Sequence, residues 1–233
     1  MVIKVKETIY TIPVNEAFES PVECCAFCYL YKKLEANELD IILGASMMEP
    51  DIRIETNKKG FCGTHLDMMF EMKNRLGLGL MLESHLGTLA DRLKVGGLLA
   101  KDTAAKCTET LNELQNSCYV CGRIDFSLSK MLHTAAVLWL REPEFRKKFA
   151  TRKMFCLPHY RDMIKTAKES LPKKDYTEFV KQLDGIQSAY LSELTGDVSW
   201  FCKKFDYRYD KEPWHNSKDA VERAIKYLKG EKR

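Results

Sequence analysis

A chain of 233 residues with 45% apolar and 30% charged side chains carries enough apolar material for one large domain or two units of roughly 100 residues, which excludes disorder as its overall state. Its 37 basic and 33 acidic side chains leave a formal charge of +4, too small for the whole surface to bind polyanions, so any nucleic-acid contact must rest on a local patch. The densest leucine stretch, Leu76 to Leu82, is interrupted by Gly77 and Gly79 and is far shorter than the ~20 apolar residues of a membrane span.

In chain order, Met1 to Val14 alternates charged and apolar residues without the apolar core of a secretory signal. This predicts a cytoplasmic protein whose first twenty residues are extended. Nine cysteines follow. An odd number without an export signal argues against a disulfide framework and for a reducing compartment. Four form C-x-x-C pairs, Cys25/Cys28 and Cys118/Cys121. Two more stand three residues before a histidine, giving Cys62/His65 and Cys156/His159, while Cys24, Cys107 and Cys202 lack such a partner.

These motifs recur. A shift of 93 positions places Cys25 on Cys118, Cys28 on Cys121, Glu49-Pro50 on Glu142-Pro143 and Arg53 on Arg146; one extra residue then aligns Phe61-Cys62 and His65 with Phe155-Cys156 and His159. The pattern reads as a duplicated unit, C-x-x-C, helix, E-P-x-x-R, F-C-x-x-H. Within each copy, Leu30, Leu34 and Ile41/Ile42, or Ile124, Leu128, Met131/Leu132 and Ala135, recur at helical spacing and predict buried faces. Pro50 and Pro143 fit the first turn of a second helix. Gly60 ends that helix in the first copy, and a new one starts near Cys62 and His65, which then share a face.

Between the copies, Leu82, Leu86, Leu89 and Leu93 predict a long connecting helix over Gly77 to Leu114, broken near Gly96-Gly97. After the second copy, Lys165 to Leu194 is helical in pattern, and Ser217 to Leu228 reads as a terminal helix capped by Ser217. The expected fold is mainly α: a helical bundle of two duplicated units, 1–115 and 116–233, with a short extended N-terminal segment and no sheet of consequence.

Three thiolates and an imidazole match the tetrahedral sulfur and nitrogen donors of structural zinc. The eight candidate ligands are Cys25, Cys28, Cys62, His65, Cys118, Cys121, Cys156 and His159. With C-x-x-C as a knuckle and C-x-x-H on a helix start, each copy is similar to a treble-clef module holding one ion. Four protein donors leave no position for water, which favours a structural role over hydrolytic catalysis. An iron–sulfur cluster is the alternative occupant, with Cys24 as a redox-sensitive neighbour. His85, His133 and His215 carry no repeated ligand pattern. Arg53 and Arg146 recur, as surface ion pairs or as holders of a carbonyl. The segment 200–214, WFCKKFDYRYDKEPW, interleaves aromatic residues with Lys203, Lys204, Arg208 and Lys211, which fits either packing onto the core or stacking on nucleobases.

The strings ECCAFCYLYKKLE, MEPDIRIETNKKGFCGTH, NRLGLGLMLESHL and WFCKKFDYRYDKEPWHNSKDAVERAI together resemble an uncharacterised family, a domain of unknown function from anaerobic Gram-positive bacteria. The likeness runs over essentially the whole chain. It implies that Asn74, His85 and Trp214 belong to the family signature, and it implies no activity. The expected function is a cytoplasmic zinc protein whose two ions hold a helical scaffold for contact with a protein partner. A thiol or iron–sulfur redox protein and a nucleic-acid binder through 200–214 are the alternatives.

Overall fold

The helix-start and helix-stop residues set the element boundaries in the computed structural model, which describes residues 9–94 and 100–230. Among these residues there are eleven α-helices and no strand: α1 (Thr11–Glu19), α2 (Ala26–Leu43), α3 (Pro50–Lys59), α4 (Gly63–Glu71), α5 (Arg75–Arg92), α6 (Ala100–Gln115), α7 (Tyr119–Arg141), α8 (Pro143–Ala150), α9 (Leu157–Ser170), α10 (Lys173–Lys203) and α11 (Ala220–Lys229). Pro50 and Pro143 open α3 and α8, where a missing N–H leaves no helical bond unmade. Gly60, at φ +62°, ends α3 in a conformation that only glycine adopts easily.

Two expectations are corrected. The segment read as extended is helical from Thr11, because Thr11, Val14, Ala17 and Phe18 fall on one face and are buried together; the alternation that suggested a strand lies largely in residues 1–8, outside the described residues. Ser217 does not cap the terminal helix. It lies in a short 3-10 turn with its hydroxyl donating to the Trp214 carbonyl, and Asp219 occupies the cap position of α11. The leucine-rich segment forms α5, while the expected break at Gly96-Gly97 falls outside the described residues.

The chain divides into two compact units, Met1–Lys32 with Leu128–Lys232, and Lys33–Ser127. The chain passes from one unit to the other within α2 and returns within α7.

In the first unit, Phe18 meets Phe145 at 4.7 Å and Phe149 at 5.7 Å between ring centres, which seats α1 on α8. Phe27 and Phe155 stand 6.0 Å apart beside them, and Trp139 packs edge-on against Phe179 at 5.0 Å. Such ring pairs add about 0.5–1.5 kcal/mol each beyond their buried area. Gln187 on α10 donates to the Phe155 carbonyl at 2.9 Å and to the Tyr227 hydroxyl at 2.7 Å. One buried amide thus fixes both α11 and the strand of chain that leads into Cys156.

In the second unit, Leu39, Ile42, Leu43, Met69, Leu78, Met81, Val120 and Ile124 are buried. Asn74 joins two helix ends. Its side chain accepts from Gly77 N–H at 2.9 Å to cap α5 and donates to the Leu43 carbonyl at 2.7 Å, at the end of α2. A Cβ on Gly77 would stand 2.9 Å from that same carbonyl, so the close approach requires glycine.

Candidate metal centres

Each of the four ligand pairs occupies the first turn of a helix. Cys62 and Cys156 are the N-caps of α4 and α9, with His65 and His159 as the third helical residues. Cys25 and Cys118 immediately precede α2 and α7, with Cys28 and Cys121 again third. Residues three apart on a helix face the same way. The unpaired N–H groups and positive dipole end of that first turn lower the cost of holding sulfur as thiolate.

All eight candidates gather into two groups, Cys25, Cys28, Cys156 and His159 in the first unit and Cys62, His65, Cys118 and Cys121 in the second, each with donor atoms within 4.8 Å of one another. The expected pairing, each C-x-x-C with the next C-x-x-H along the chain, is therefore overturned. Each C-x-x-C instead meets the C-x-x-H of the other copy. Helix length is the physical reason: the 18 residues of α2 carry the chain about 27 Å from its first turn, whereas the ten residues of α3 span only about 15 Å. The treble-clef likeness is not reproduced either. Its knuckle is replaced by a second helix start, so two helix N-termini converge on each group.

The donor spacings, from 3.0 to 4.0 Å, are of the size that a single tetrahedral ion needs. In the first group, His159 Nδ1 lies 3.5 Å from Cys25 Sγ, 3.5 Å from Cys28 Sγ and 3.0 Å from Cys156 Sγ, and Cys28 and Cys156 are 3.5 Å apart. In the second, His65 Nδ1 lies 3.2, 3.3 and 3.5 Å from Cys62, Cys118 and Cys121, and the Cys62 and Cys121 sulfurs are 4.0 Å apart. Zinc–ligand bonds near 2.0–2.3 Å give tetrahedral edges of about 3.5–3.8 Å. Burial opposes ionisation of Cys25, but hydrogen bonds from Cys156, Cys28 and His159 hold its pKa well below the ordinary thiol value. The bond with Cys156, then that with Cys25, pushes Cys28 up, and the bond with Cys25 pushes Cys156 up. In the second group burial, then the Cys118 charge, pushes Cys121 up. In the first group the protein's own hydrogen bonds stabilise one thiolate, that of Cys25; a dication would displace the remaining thiol protons.

The surroundings of the two groups differ. Cys25, Cys28, Cys156 and His159 are 4, 8, 1 and 0% exposed, and Gly230, at φ +65°, approaches so closely that a Cβ there would sit 2.9 Å from Cys156 Sγ. Arg152, 2% exposed, donates to the carbonyls of Ser20 (2.7 Å), Pro21 (2.8 Å) and Cys24. Desolvation lowers its pKa, and the charge of Cys25 opposes that shift. The second group keeps His65 and Cys118 buried but leaves Cys62 and Cys121 half-buried. There His65 Nε2 meets the buried carboxylate of Glu35 at 3.2 Å, an outer partner that orients a ligand histidine and raises its basicity. His159 Nε2 is buried without a hydrogen-bond partner among the described residues.

Sequence reasoning missed Glu35, Glu38 and Arg152. The signal for the first two was available: buried Leu39 and Ile42 put positions 35 and 38 on the inward face of α2, where a carboxylate requires a partner. Glu38 finds Arg123 at 3.4 Å. Cys24 and Cys202 are exposed, Cys107 is half-buried, and none joins a donor group. His133 bonds the Ser170 hydroxyl at 2.7 Å; His85 Nδ1 has no partner among the described residues, and its ring lies against Gly60. Arg53 holds the carbonyls of Met47 and Leu80 at 2.8 and 2.5 Å, whereas Arg146 pairs with Glu178 and stacks on Trp139. In 200–214, Lys204 Nζ donates to the carbonyls of Tyr209, Asp210 and Glu212 at 2.6–2.8 Å and Arg208 pairs with Asp206. Both cations are engaged within the chain.

No described helix is long and apolar enough to cross a membrane. No curated protein and no solved structure matches the chain. A sequence profile does match residues 5–233, nearly the full length and including all eight donors, and by that match the chain belongs to the family of unknown function DUF6062.

Proposed function

We propose that this chain is a cytoplasmic zinc protein in which two closed Cys3His sites, arising from an internal duplication, stabilise a helical scaffold for contact with a protein partner. The observation that carries the reading is the convergence of two helix N-termini on each complete set of three sulfurs and one Nδ1. The short separations favour one ion per set over an iron–sulfur cluster, whose several irons hold their thiolates farther apart. Four protein donors leave no open position for a substrate or water, which supports a structural rather than a catalytic role. The engagement of Lys204 and Arg208 within 200–214 weighs against nucleic-acid binding there. The exposed Val221, Ile225 and Leu228 on α11 support partner contact.

Metal analysis of protein purified without oxygen or added metal, combined with circular dichroism during chelation, tests the reading. Two zinc ions per chain and a cooperative loss of helicity on chelation are expected. Unchanged helicity and melting temperature after complete metal loss would overturn the structural role, and visible absorbance with iron and sulfide would replace zinc.

A further inference from the structure

Three sulfurs and a dication leave each loaded site with one net negative charge, held by the thiolates. What surrounds that charge differs between the two. Around Cys25, Cys28 and Cys156 the chain places aromatic rings, the close backbone of Gly230 and the guanidinium of Arg152. Around Cys62, Cys118 and Cys121 it places a further carboxylate, Glu35, bonded directly to the ligand histidine. The nearby cations are engaged elsewhere, Arg123 with Glu38 and Lys59 with Glu55. Electron density donated through His65 leaves more charge on the sulfurs. Reactivity of a thiolate rises with its charge and its access to solvent, and only in this group are two sulfurs, Cys62 and Cys121, half-buried.

We propose that the second site is an oxidative modification site, at which a hydroperoxide converts Cys62 and Cys121 to a disulfide while the first site stays intact. The proposal rests on the zinc reading above and adds to it a difference in role between the two sites. One of the two thiolates attacks a peroxide oxygen: an S–O bond forms, the O–O bond breaks, and the departing hydroxide takes a proton from solvent to leave as water. The other thiolate, 4.0 Å away, attacks the resulting sulfenic sulfur; the S–S bond forms, the S–O bond breaks, and a second hydroxide is protonated and leaves. Sulfur supplies two electrons, and hydrogen peroxide with two protons becomes two waters. Only His65 and Cys118 then remain as donors, too few to retain the ion against a chelator.

The test uses the full chain with Cys24, Cys107 and Cys202 replaced by serine, loaded to two zinc ions, treated with hydrogen peroxide, and followed by a chromogenic zinc chelator and by mass mapping of disulfides. The expected result is release of one ion per chain in a first phase, with a Cys62–Cys121 disulfide, and a second phase at least about tenfold slower. Glu35→Gln, compared on protein shown to hold two ions before oxidant is added, is expected to slow disulfide formation in the first phase severalfold; Glu35→Asp provides a milder variant should the amide impair folding or loading. Equal rates for both ions, no release, or an early disulfide among Cys25, Cys28 and Cys156 would overturn the proposal and leave the zinc reading standing. Failure to load two ions would overturn both, and it is read before any oxidant is added.

Discussion

Arg152 shows how one side chain can hold a ligand loop. Its guanidinium is buried and donates to three backbone carbonyls between Ser20 and Cys24, the residues that deliver Cys25 to its site. Hydrogen bonds from a charged donor are worth about 1.5–3 kcal/mol each, and truncation would remove all three together. Arg152→Ala is therefore expected to cost about 2–4 kcal/mol in a denaturant titration of the zinc-loaded protein. Arg152→Lys is expected to recover only part of it, since a single ammonium cannot reproduce the planar fork. At this scale the candidate ligands were legible from spacing alone, because C-x-x-C and C-x-x-H fix which side chains share a helical turn. Arg152, Glu35 and Glu38 were not, because a charged residue reads as solvated until the packing around it is known.

Among the elements, the junction of α2 and α5 depends on one asparagine. Asn74 satisfies an end group of each helix, so Asn74→Ala removes both bonds, and a loss of about 1–2 kcal/mol is expected in thermal or chemical unfolding. Asn74→Asp, which can still accept from Gly77 but cannot donate to Leu43, should fall between the two. Most of the helices followed from apolar period, proline at the first turn and glycine at the end. The first helix did not, since residues before Thr11 alternate and masked the 11, 14, 17, 18 stripe that α1 buries. The predicted face of α2 held only in part: Leu30 and Ile42 are buried, whereas Ile41 is 51% exposed and Glu35 and Glu38 lie inward. Period locates a face to within a residue or so, and the buried contact of Glu35 with His65 decides the rest.

For the whole molecule, the pairing of the motifs matters more than their presence. A serial arrangement would let each half of the chain fold around its own ion; the observed one gives each half two candidate ligands of both groups. Fragments 1–115 and 116–233, expressed separately, each hold only half of each observed set and are therefore expected to bind zinc weakly, with tight binding restored on mixing. Tight binding of one ion by either fragment alone, read by competition with a chromogenic chelator, would contradict the pairing. Sequence spacing could not show this, because both pairings use the same motifs, and the lengths of the helices between the motifs decide between them.

The pairing is also nested: Cys62 to Cys121 lies wholly between Cys28 and Cys156. A chain leaving the ribosome presents Cys25 and Cys28 first, yet it completes the inner set when Cys121 emerges, and the outer one only with His159. The earliest thiols to be made thus wait longest for their partners. Closing the inner set first removes more than fifty residues from the loop the outer set must span, reducing its entropic cost. On the proposed zinc reading, metal uptake during synthesis is expected to follow the order of the cysteines, inner site before outer.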